Sequence, residues 1–416
     1  MTSQISPLKR RRIFYAAAAK KERCFRLKAP DSAAQAIGSI SFAETDTMKA
    51  PSPQNANIMI RYLLMKDADM KTIDDYLDSI NAKEMFNTMK IKRGLPYEAK
   101  VKHAEVRARE FYDRLDGRCH VSVGGLDSIT LLIFLRSIGI NVPAISVSAL
   151  EDASIIRIHK QLGVIMLAPL MTKTDVIRKF GFPVISKEIA GKIELLQNPT
   201  EKNATVRHAI ITGETGEYGG FRKNTRMKLS DKWLRKFAGN ENQKEGCDYC
   251  CAPFKVSQKC CYYLKEKPCD DYAKKNGSSP YLGLMASEHG RREKVLMRTG
   301  CNYYGKTVTR SAPFAIFSRQ DILQLALDLN VPVPEIYGEI RRDVSGNLYT
   351  TKAQRTGCDM CGFGITFEKR PHRFDRLRER NPIAWKYWMY DVGWGKVLDY
   401  IGISWENTPY TLQIDF

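Results

Sequence analysis

The sequence lacks any apolar run long enough to cross a bilayer, and it is short of acidic residues. Its longest apolar runs, such as Ile129–Leu135, fall far below the roughly 20 residues of a membrane-spanning helix, so we expect no membrane partner. Asp and Glu number 46 against 66 Lys and Arg, which gives a net charge of +20. This balance favours a polyanionic partner such as a nucleic acid or a nucleotide. Hydrophobic residues make up 43%, as in a globular protein.

Cysteine is distributed unevenly along the 416 residues. Seven of the eleven cysteines lie between Cys247 and Cys301, and Cys358 and Cys361 form a CxxC pair. An odd number, close pairs and the lack of a recognisable secretory signal argue against a disulfide framework. We therefore expect a cytoplasmic protein whose clustered thiols bind a metal or carry sulfur chemistry.

The pattern of the chain predicts four regions. Residues 1–56 form a basic arm and linker, since nine Lys and Arg stand against one acid within residues 1–28. Residues 57–94 have helical spacing and form a small helical extension. Over residues 95–240, strand-like apolar runs alternate with helix-like segments, which indicates a Rossmann-like parallel sheet with flanking helices, an α/β fold. Residues 241–416 complete this domain with a Cys-rich insert and a C-terminal part.

The strongest local signal is the segment Val121-Ser-Val-Gly-Gly-Leu-Asp-Ser128, between a predicted strand and a predicted helix. Gly124 and Gly125 let the backbone approach a phosphate closely, because no Cβ intervenes. The N–H groups and the dipole of the following helix favour the anion. Ser128 can donate to a phosphate oxygen, and Asp127 can hold a phosphate-bound Mg²⁺. A tight strand-to-helix turn with a capping Asp would give the same pattern.

This segment resembles the SGGxDS signature of the PP-loop ATP pyrophosphatases. It matches at Gly124, Gly125, Asp127 and Ser128, and it departs at Val123, where the family has a phosphate-contacting serine. The resemblance implies an adenine nucleotide ligand, either ATP or an adenylated sulfate, namely adenylyl sulfate (APS) or phosphoadenylyl sulfate (PAPS), with Mg²⁺.

A second segment is similar to the PAPS reductase-like branch of that superfamily, which has a strand followed by G-x-x-x-x-E-S-x-x-R. Within Tyr281–Glu293, the residues that fit are Glu288, Arg291 and Arg292. Because arginine pairs bind phosphate or sulfate in bidentate fashion, we expect Arg291 and Arg292 to hold the anionic end of the nucleotide, with Glu288 as a further nucleotide-binding residue. Pro313–Ile322 resembles the strand and helix that follow in this branch, and the resemblance covers roughly residues 90–405.

Four cysteines extend the resemblance. Cys260, Cys261, Cys358 and Cys361 are similar to the [4Fe–4S] ligand set of APS reductases and of the PP-loop proteins of DNA phosphorothioation. Four thiolates are the normal complement of such a cluster. Zn²⁺, the runner-up, would use the same four ligands, although adjacent cysteines suit a tetrahedral zinc poorly.

Cys247, Cys250 and Cys251 form a second close group. No cysteine follows Cys361 in this sequence, whereas APS and PAPS reductases attack the substrate's sulfur with a cysteine near the C-terminus. We therefore expect Cys250 or Cys251 to replace that nucleophile and to act with Asp127 in catalysis. The group could equally serve as a sulfur relay or as alternative metal ligands.

These patterns predict an enzyme that binds an adenine nucleotide and performs sulfur transfer or activation with a [4Fe–4S] cluster. In this hypothesis ATP adenylates an acceptor, with a nucleic acid as one candidate, and a cysteine desulfurase or a thiol reductant is the implied partner. One alternative is an APS or PAPS reductase with a non-standard catalytic cysteine. Another is a weakened nucleotide-binding module in a nucleic-acid complex, which the departure at Val123 would explain.

Overall fold

The computed structural model describes residues 70–147, 151–239, 242, 249–358 and 360–406, except for the side chains of residues 70–80 and of Arg291. The chain divides into two compact units, Met1–Ser79 and Ile80–Phe416. In the first unit, only the backbone of residues 70–79 is described, as the beginning of helix α1 (Met70–Arg93). The predicted basic arm lies outside the described residues.

A six-stranded sheet with the order β3-β2-β1-β5-β7-β6 is the centre of the second unit. Its strands are β1 (Cys119–Ser122), β2 (Ala144–Ser146), β3 (Ile165–Met166), β5 (Ser279–Leu282), β6 (Asn302–Tyr304) and β7 (Thr309–Ser311). All neighbouring strands run parallel except β6, which is antiparallel to β7. The predicted α/β fold with a mostly parallel sheet is therefore confirmed.

Helices flank this sheet and continue through the C-terminal half. They are α2 (Tyr97–Arg114), α3 (Leu126–Ser137), α4 (Ala153–Gln161), α5 (Lys173–Phe180), α6 (Lys187–Gln197), α7 (Ala204–Thr212), α8 (Asp231–Phe237), α9 (Lys259–Cys261), α10 (Lys267–Asn276), α11 (Gly290–Thr299), α12 (Arg319–Asp328), α13 (Arg373–Arg380), α14 (Pro382–Lys386) and α15 (Trp394–Ile401). Within the described ranges, no helix has the length and apolar character that crossing a membrane requires.

Two smaller strand pairs complete the fold. The first joins β4 (Val184–Ile185) to β10 (Gly362–Phe363) in parallel, and the second is the hairpin of β8 (Ile340–Arg342) and β9 (Leu348–Thr350). The β4–β10 pair brings the segment after Cys361 next to the start of α6, although the two are far apart in sequence.

Burial explains why the sheet forms where it does. Val121 on β1 is fully buried and lies in register between Ala144 on β2 and Tyr281 on β5. A strand that is covered on both faces by helices needs apolar residues throughout, which is the pattern of parallel sheets. The order of the strands reverses between β1 and β5, because β2 and β3 lie on one side of β1 and β5 lies on the other. Ligands of open α/β sheets bind at such a switch point, outside the carboxyl ends of the strands.

A second hydrophobic core lies in the C-terminal half. Trp385, Trp394 and Trp405 are buried within it, together with Phe237 of α8. These three tryptophans therefore pack the interior. Fully burying an apolar side chain of this kind contributes about 1.5–3 kcal/mol.

One strand expectation was wrong. The apolar run Phe314–Phe317, within the segment expected to contain a strand, forms a buried turn, and the strand is the preceding Thr309–Ser311. Apolar content alone predicts burial, and a buried turn satisfies it as well as a strand does. The helix expected after this run is present as α12.

Candidate active site

A cleft of about 630 Å³ opens at the carboxyl ends of β1 and β5, at the switch point of the sheet. Its lining comes from the loop after β1, the loop after β5, the single residues Glu151 and Lys265, and three later segments of the chain. The side chains and backbone that line it include Gly124, Gly125, Asp127, Ser128, Glu151, Lys265, Gly283, Glu288, His289, Arg292, Arg319, Tyr337, Gln354, Arg355, Thr356 and Gly357.

The glycine loop, Gly124–Gly125, precedes α3. Its second residue, Gly125, is the N-cap of that helix and has no side chain to cap it. The Gly124 N–H donates to Ser128 Oγ at 2.7 Å, and that hydroxyl donates to the Gly125 carbonyl at 2.9 Å. In the described part of the chain, the N–H groups of Gly125 and Asp127 have no acceptor. Free N–H groups at the positive end of a helix form an anion site.

Two glycines are needed here because other groups come close to their backbones. A Cβ at Gly283 would lie 2.9 Å from Ser128 Cα, so the loop after β5 approaches the start of α3 as only a glycine allows. A Cβ at Gly125 would overlap the Tyr337 hydroxyl. That hydroxyl accepts a hydrogen bond from the Leu126 N–H.

Asp127 forms an ion pair with Arg319 in the cleft. Burial raises the pKa of the Asp127 carboxyl, and the nearby Glu288 acts in the same direction, while Arg319 opposes them. Arg319 is the first residue of α12, and Ser318 and Asp321 place it there by capping that helix reciprocally. Asp127 and Arg319 thus meet although 191 residues separate them along the chain.

Of the predicted nucleotide-binding residues Glu288, Arg291 and Arg292, Glu288 and Arg292 line the cleft, whereas the side chain of Arg291 is not among the described side chains. The Glu288 carboxylate is almost fully buried and pairs with Arg292 at 2.6 Å and with Arg355 at 3.7 Å. Its Oε2 atom has no hydrogen-bond partner among the described residues. Glu288 therefore positions two guanidinium groups at the cleft, and these are the groups that an anionic ligand would contact.

The four predicted ligand cysteines come from two segments that the fold brings together. Burial raises the pKa of the Cys260 thiol to about 12, and the neighbouring Cys261, Cys358 and Cys361 act in the same direction. Cys260 and Cys261 lie in α9, which continues into a π-helical turn, Tyr262–Glu266.

The π turn has a local cause. Pro268, in the first turn of α10, lacks an N–H and its ring would clash with the carbonyl four residues earlier. A wider turn in that place is often found at functional sites.

Three lysines surround these thiols. Lys187 hydrogen-bonds to Cys261, and Lys173 lies close enough to Cys260 to lower the pKa of that thiol. Lys265 pairs with Glu151 and hydrogen-bonds to Cys358. Burial alone would lower the pKa of Lys265, but Cys358 and Glu151 raise it above its usual value. Because Lys265 also lines the cleft, one side chain connects the thiols to the cleft.

No three of the described His, Cys, Asp and Glu side chains are arranged as the ligands of a metal ion. The charges of Cys261, Cys358 and Cys361 reach the Cys260 thiol, so the four thiols lie in one region, but they do not enclose a site for a single metal ion.

Cys250 and Cys251 lie elsewhere. Both are exposed, and neither is among the residues that line the cleft. Their charges help burial to raise the pKa of Tyr400 on α15, and a Cβ at Gly239 would lie 3.0 Å from Cys251 Sγ. The third member of this group, Cys247, lies outside the described residues. The structure therefore does not bring the predicted catalytic thiols Cys250 and Cys251 into the cleft with Asp127.

A second, larger cavity of about 1080 Å³ adjoins the cleft. The two share the wall formed by residues 354–357, and Cys358 lines the larger one. Cationic side chains outnumber acidic ones in its lining, and the six cations are Arg157, Lys352, Arg355, Arg373, Arg376 and Arg380. Several of them pair with acids of the same lining, such as Arg373 with Glu368.

Several groups that form the cleft are not predicted by any motif in the sequence. Arg319 and Lys265 belong to segments that the motifs cover, but no spacing rule points to them. Lys265 follows the cysteine pair by four residues, so on a helix it lies near the face of Cys261. Glu151 and Tyr337 carry no local signal, because their place depends on how distant segments pack.

The fold and this cleft define an α/β protein with an arginine-lined cleft at the switch point of its sheet. No family model matches the chain, and no curated protein matches it either. Among solved structures it is similar to the crystal structure of phosphoadenylyl-sulfate (PAPS) reductase from Candida auris in a phosphate complex, at 9% sequence identity and a TM-score of 0.29. That match covers 61% of this chain and 98% of the other. The fold assignment rests on the strand order described above.

Proposed function

We propose that this chain is a PAPS reductase-like PP-loop enzyme that binds an adenine nucleotide in the cleft and performs sulfur transfer or activation beside the four thiols. The observation that carries the proposal is the position of Lys265. Its side chain lines the cleft that contains Asp127 and Ser128, while its ammonium group contacts Cys358 and Glu151. One side chain therefore reaches both the cleft and a predicted cluster ligand.

The cleft suits the phosphates of a nucleotide. The free N–H groups of Gly125 and Asp127 can donate to a phosphate. Arg292, Arg319 and Arg355 supply positive charge to the same cleft. When the nucleotide binds, Arg319 turns to a phosphate and Asp127 becomes available for the Mg²⁺ that accompanies it. Cations fixed in advance at a partly buried site stabilise the charge that develops on a departing pyrophosphate.

The donor set fits a [4Fe–4S] cluster in its chemistry. Cys260, Cys261, Cys358 and Cys361 would hold it, and Zn²⁺, the runner-up, would use the same ligands. The ammonium group of Lys173 is buried without a hydrogen-bond partner among the described residues, which a negatively charged group beside Cys260 would compensate. When bound, such a cluster supplies redox-active iron and sulfide. The three lysines then stabilise the negative charge of the thiolates.

The reaction we propose has two steps. An acceptor oxygen attacks the α-phosphorus of ATP and pyrophosphate leaves, and a sulfur nucleophile then displaces AMP from the adenylated acceptor. The cavity beside Cys358 offers space for an acceptor next to the nucleotide. A cysteine desulfurase or a thiol reductant would supply the sulfur or the electrons.

Reduction of APS or PAPS is the second candidate, because the same cations would hold a sulfate as well as a phosphate. It requires a thiol that attacks the sulfonyl sulfur. Since Cys250 and Cys251 do not line the cleft, the structure gives this candidate less support than nucleotide activation. A third candidate is a module that binds a nucleotide without turnover, and it rests on the hydroxyl that Val123 lacks.

A nucleotide panel separates these candidates. Protein purified without oxygen is incubated with ATP, APS or PAPS, and pyrophosphate and sulfite are both measured. Pyrophosphate from ATP supports activation, sulfite from APS or PAPS with a thiol donor supports reduction, and binding without product supports the module. In the activation case, we expect Asp127→Asn to lower the rate by about 100-fold or more. Asp116→Asn is the matched control, because that carboxylate is exposed far from the cleft.

A further inference from the structure

The loop between α7 and α8, residues 213–229, is closed at its base by hydrogen bonds. The Thr225 N–H and hydroxyl both donate to the Gly213 carbonyl, at 3.0 and 2.8 Å. The Leu229 N–H donates to the Ile210 carbonyl at 2.8 Å. The ammonium group of Lys192, on α6, donates to the Arg226 carbonyl at 2.7 Å. We call residues 213–229 the aromatic loop.

The tip of the aromatic loop is fixed as well. Two hydrogen bonds join Thr215 and Arg222 across it. The Thr215 N–H donates to the Arg222 carbonyl at 2.9 Å, and the Arg222 N–H donates to the Thr215 side-chain oxygen Oγ1 at 2.9 Å. The Thr215 hydroxyl donates to the Gly219 carbonyl at 3.0 Å. This self-contained network is typical of a compact Ω-loop, a form that is frequently functional.

The fixed tip holds two aromatic side chains in solvent. Tyr218 is fully exposed, and Phe221 is 73% exposed. Phe221 also has a φ of 47°, in the left-handed region that a bulky residue rarely adopts. Strain of this kind costs on the order of 1–3 kcal/mol and persists where the surrounding structure imposes it, often for function. Packing against the described residues does not account for a strained phenylalanine that faces water.

Positive charge accompanies these rings. Arg222, Lys223 and Arg226 are exposed, and none of them forms an ion pair with a described residue. Lys228 adds a fourth cation, whose nearest acid is Asp231 at 4.0 Å. Within the loop, these four cations stand against the two acids Glu214 and Glu217.

We propose that the aromatic loop binds single-stranded nucleic acid, with bases stacked on Tyr218 and Phe221 and phosphates beside Arg222 and Lys223. Exposed aromatic rings interleaved with unpaired cations are the elements that bind single strands without reading their sequence. This inference goes beyond the proposed chemistry of the cleft and does not depend on it. The loop would bind a strand whether or not that strand is the sulfur acceptor.

The test measures fluorescence anisotropy of a labelled oligothymidylate with the full chain. The main variant is Phe221→Asn, because asparagine accepts a left-handed backbone and should leave the free energy of unfolding unchanged or higher. We expect its affinity to fall by about 5-fold or more, the loss of one stacked base. Arg222→Gln with Lys223→Gln should weaken binding and flatten its salt dependence.

Phe367→Asn is the matched control, since Phe367 is similarly exposed but lies outside the aromatic loop. The proposal is supported if only the loop variants lose affinity while their melting temperatures hold. It is overturned if the native chain does not bind the oligonucleotide, or if Phe221→Asn binds as tightly as the native chain. It is also overturned if Phe367→Asn loses as much affinity. Pyrophosphate release from ATP, measured in the same variants, reports on the cleft separately.

Discussion

The hydroxyl of Tyr337 accepts a hydrogen bond from the backbone N–H of Leu126 at 3.1 Å, at the first residue of α3. The same hydroxyl bonds to Thr356 Oγ1 at 2.7 Å, two residues before Cys358. Tyr337 therefore joins the glycine loop to the segment that carries a predicted cluster ligand. The cleft and the segment that carries Cys358 are linked by this contact as well as by Lys265.

Tyr337→Phe should destabilise the protein without changing its fold. The change removes the acceptor of the Leu126 N–H and the partner of Thr356, and an unsatisfied buried polar group costs about 1–3 kcal/mol. Urea unfolding measures the loss. Tyr349→Phe is the control, because that side chain is partly exposed on the β8–β9 hairpin. An unchanged free energy of unfolding in Tyr337→Phe would show that the contact does not join the two sites.

Each of the four ligand cysteines should be needed for bound iron. We expect Cys260→Ser, Cys261→Ser, Cys358→Ser and Cys361→Ser to lower the iron and sulfide content of anaerobically purified protein by about tenfold or more. Cys269→Ser should retain both, because Cys269 lies in α10 and its pKa is raised by burial and by Asp270, not by the other thiols. A colourless protein that contains zinc and no sulfide would replace the cluster with a zinc site.

Lys173→Met should act in opposite directions on the metal-free and the metal-bound protein. The Lys173 ammonium group is buried over the Trp388 ring, 5.5 Å from its centroid, and has no hydrogen-bond acceptor among the described residues. Without a cluster, its removal should stabilise the chain by about 1–4 kcal/mol, since a buried charge is costly. With iron bound, the same change should speed the loss of the visible absorption band to a chelator. Lys173→Arg keeps the charge and should not speed this loss. A metal-free Lys173→Met protein that is less stable than the native chain would contradict this account.

Stability should fall in mildly acidic solution, partly through His120. Burial lowers the pKa of His120 to about 4 from its usual 6.5, and the ring bonds to Ser278 Oγ at 2.8 Å. Between about pH 6.5 and pH 4 the unfolded chain therefore binds more protons than the folded one, so the free energy of unfolding falls as the pH falls. The full effect is up to roughly 3 kcal/mol.

Urea unfolding at several pH values measures this contribution. His120→Asn should show a flatter pH dependence than the native chain, while His208→Asn, at an exposed position, should follow the native curve. Parallel curves for all three proteins would show that His120 does not contribute.

Much of the sheet follows from local pattern. The run from Cys119, the two glycines and the following apolar helix predict a strand, a tight turn and a helix, and β1, Gly124–Gly125 and α3 have those places. Helical spacing also predicts helices over Tyr97–Leu115 and Lys173–Phe180, and α2 and α5 agree with these bounds to within one residue. These segments are predictable because their burial repeats with the period of the element that they form.

The cleft was only partly predictable, because its charged groups meet across long stretches of sequence. Asp127 could be placed from the loop motif, but its partner Arg319 reaches it only through the packing of α12 beside the sheet. Pro268 is a local signal for the π turn after Cys261, but the approach of Lys265 to Cys358 depends on how distant segments pack, so it has no sequence signature. The prediction of Cys250 and Cys251 as nucleophiles depends only on the lack of a cysteine after Cys361, and this says nothing about where their side chains lie in the fold.

The central claim is that the nucleotide cleft and the thiol group work as one site through Lys265. The most direct measurement is an anaerobic titration of the iron-loaded protein with ATP, APS or PAPS, followed by the electron paramagnetic resonance and visible spectra of the iron. The account predicts that a saturating nucleotide shifts these spectra in the native chain, and that Lys265→Gln binds iron but loses the shift. Protein without iron, or an iron spectrum that saturating nucleotide leaves unchanged, would contradict it.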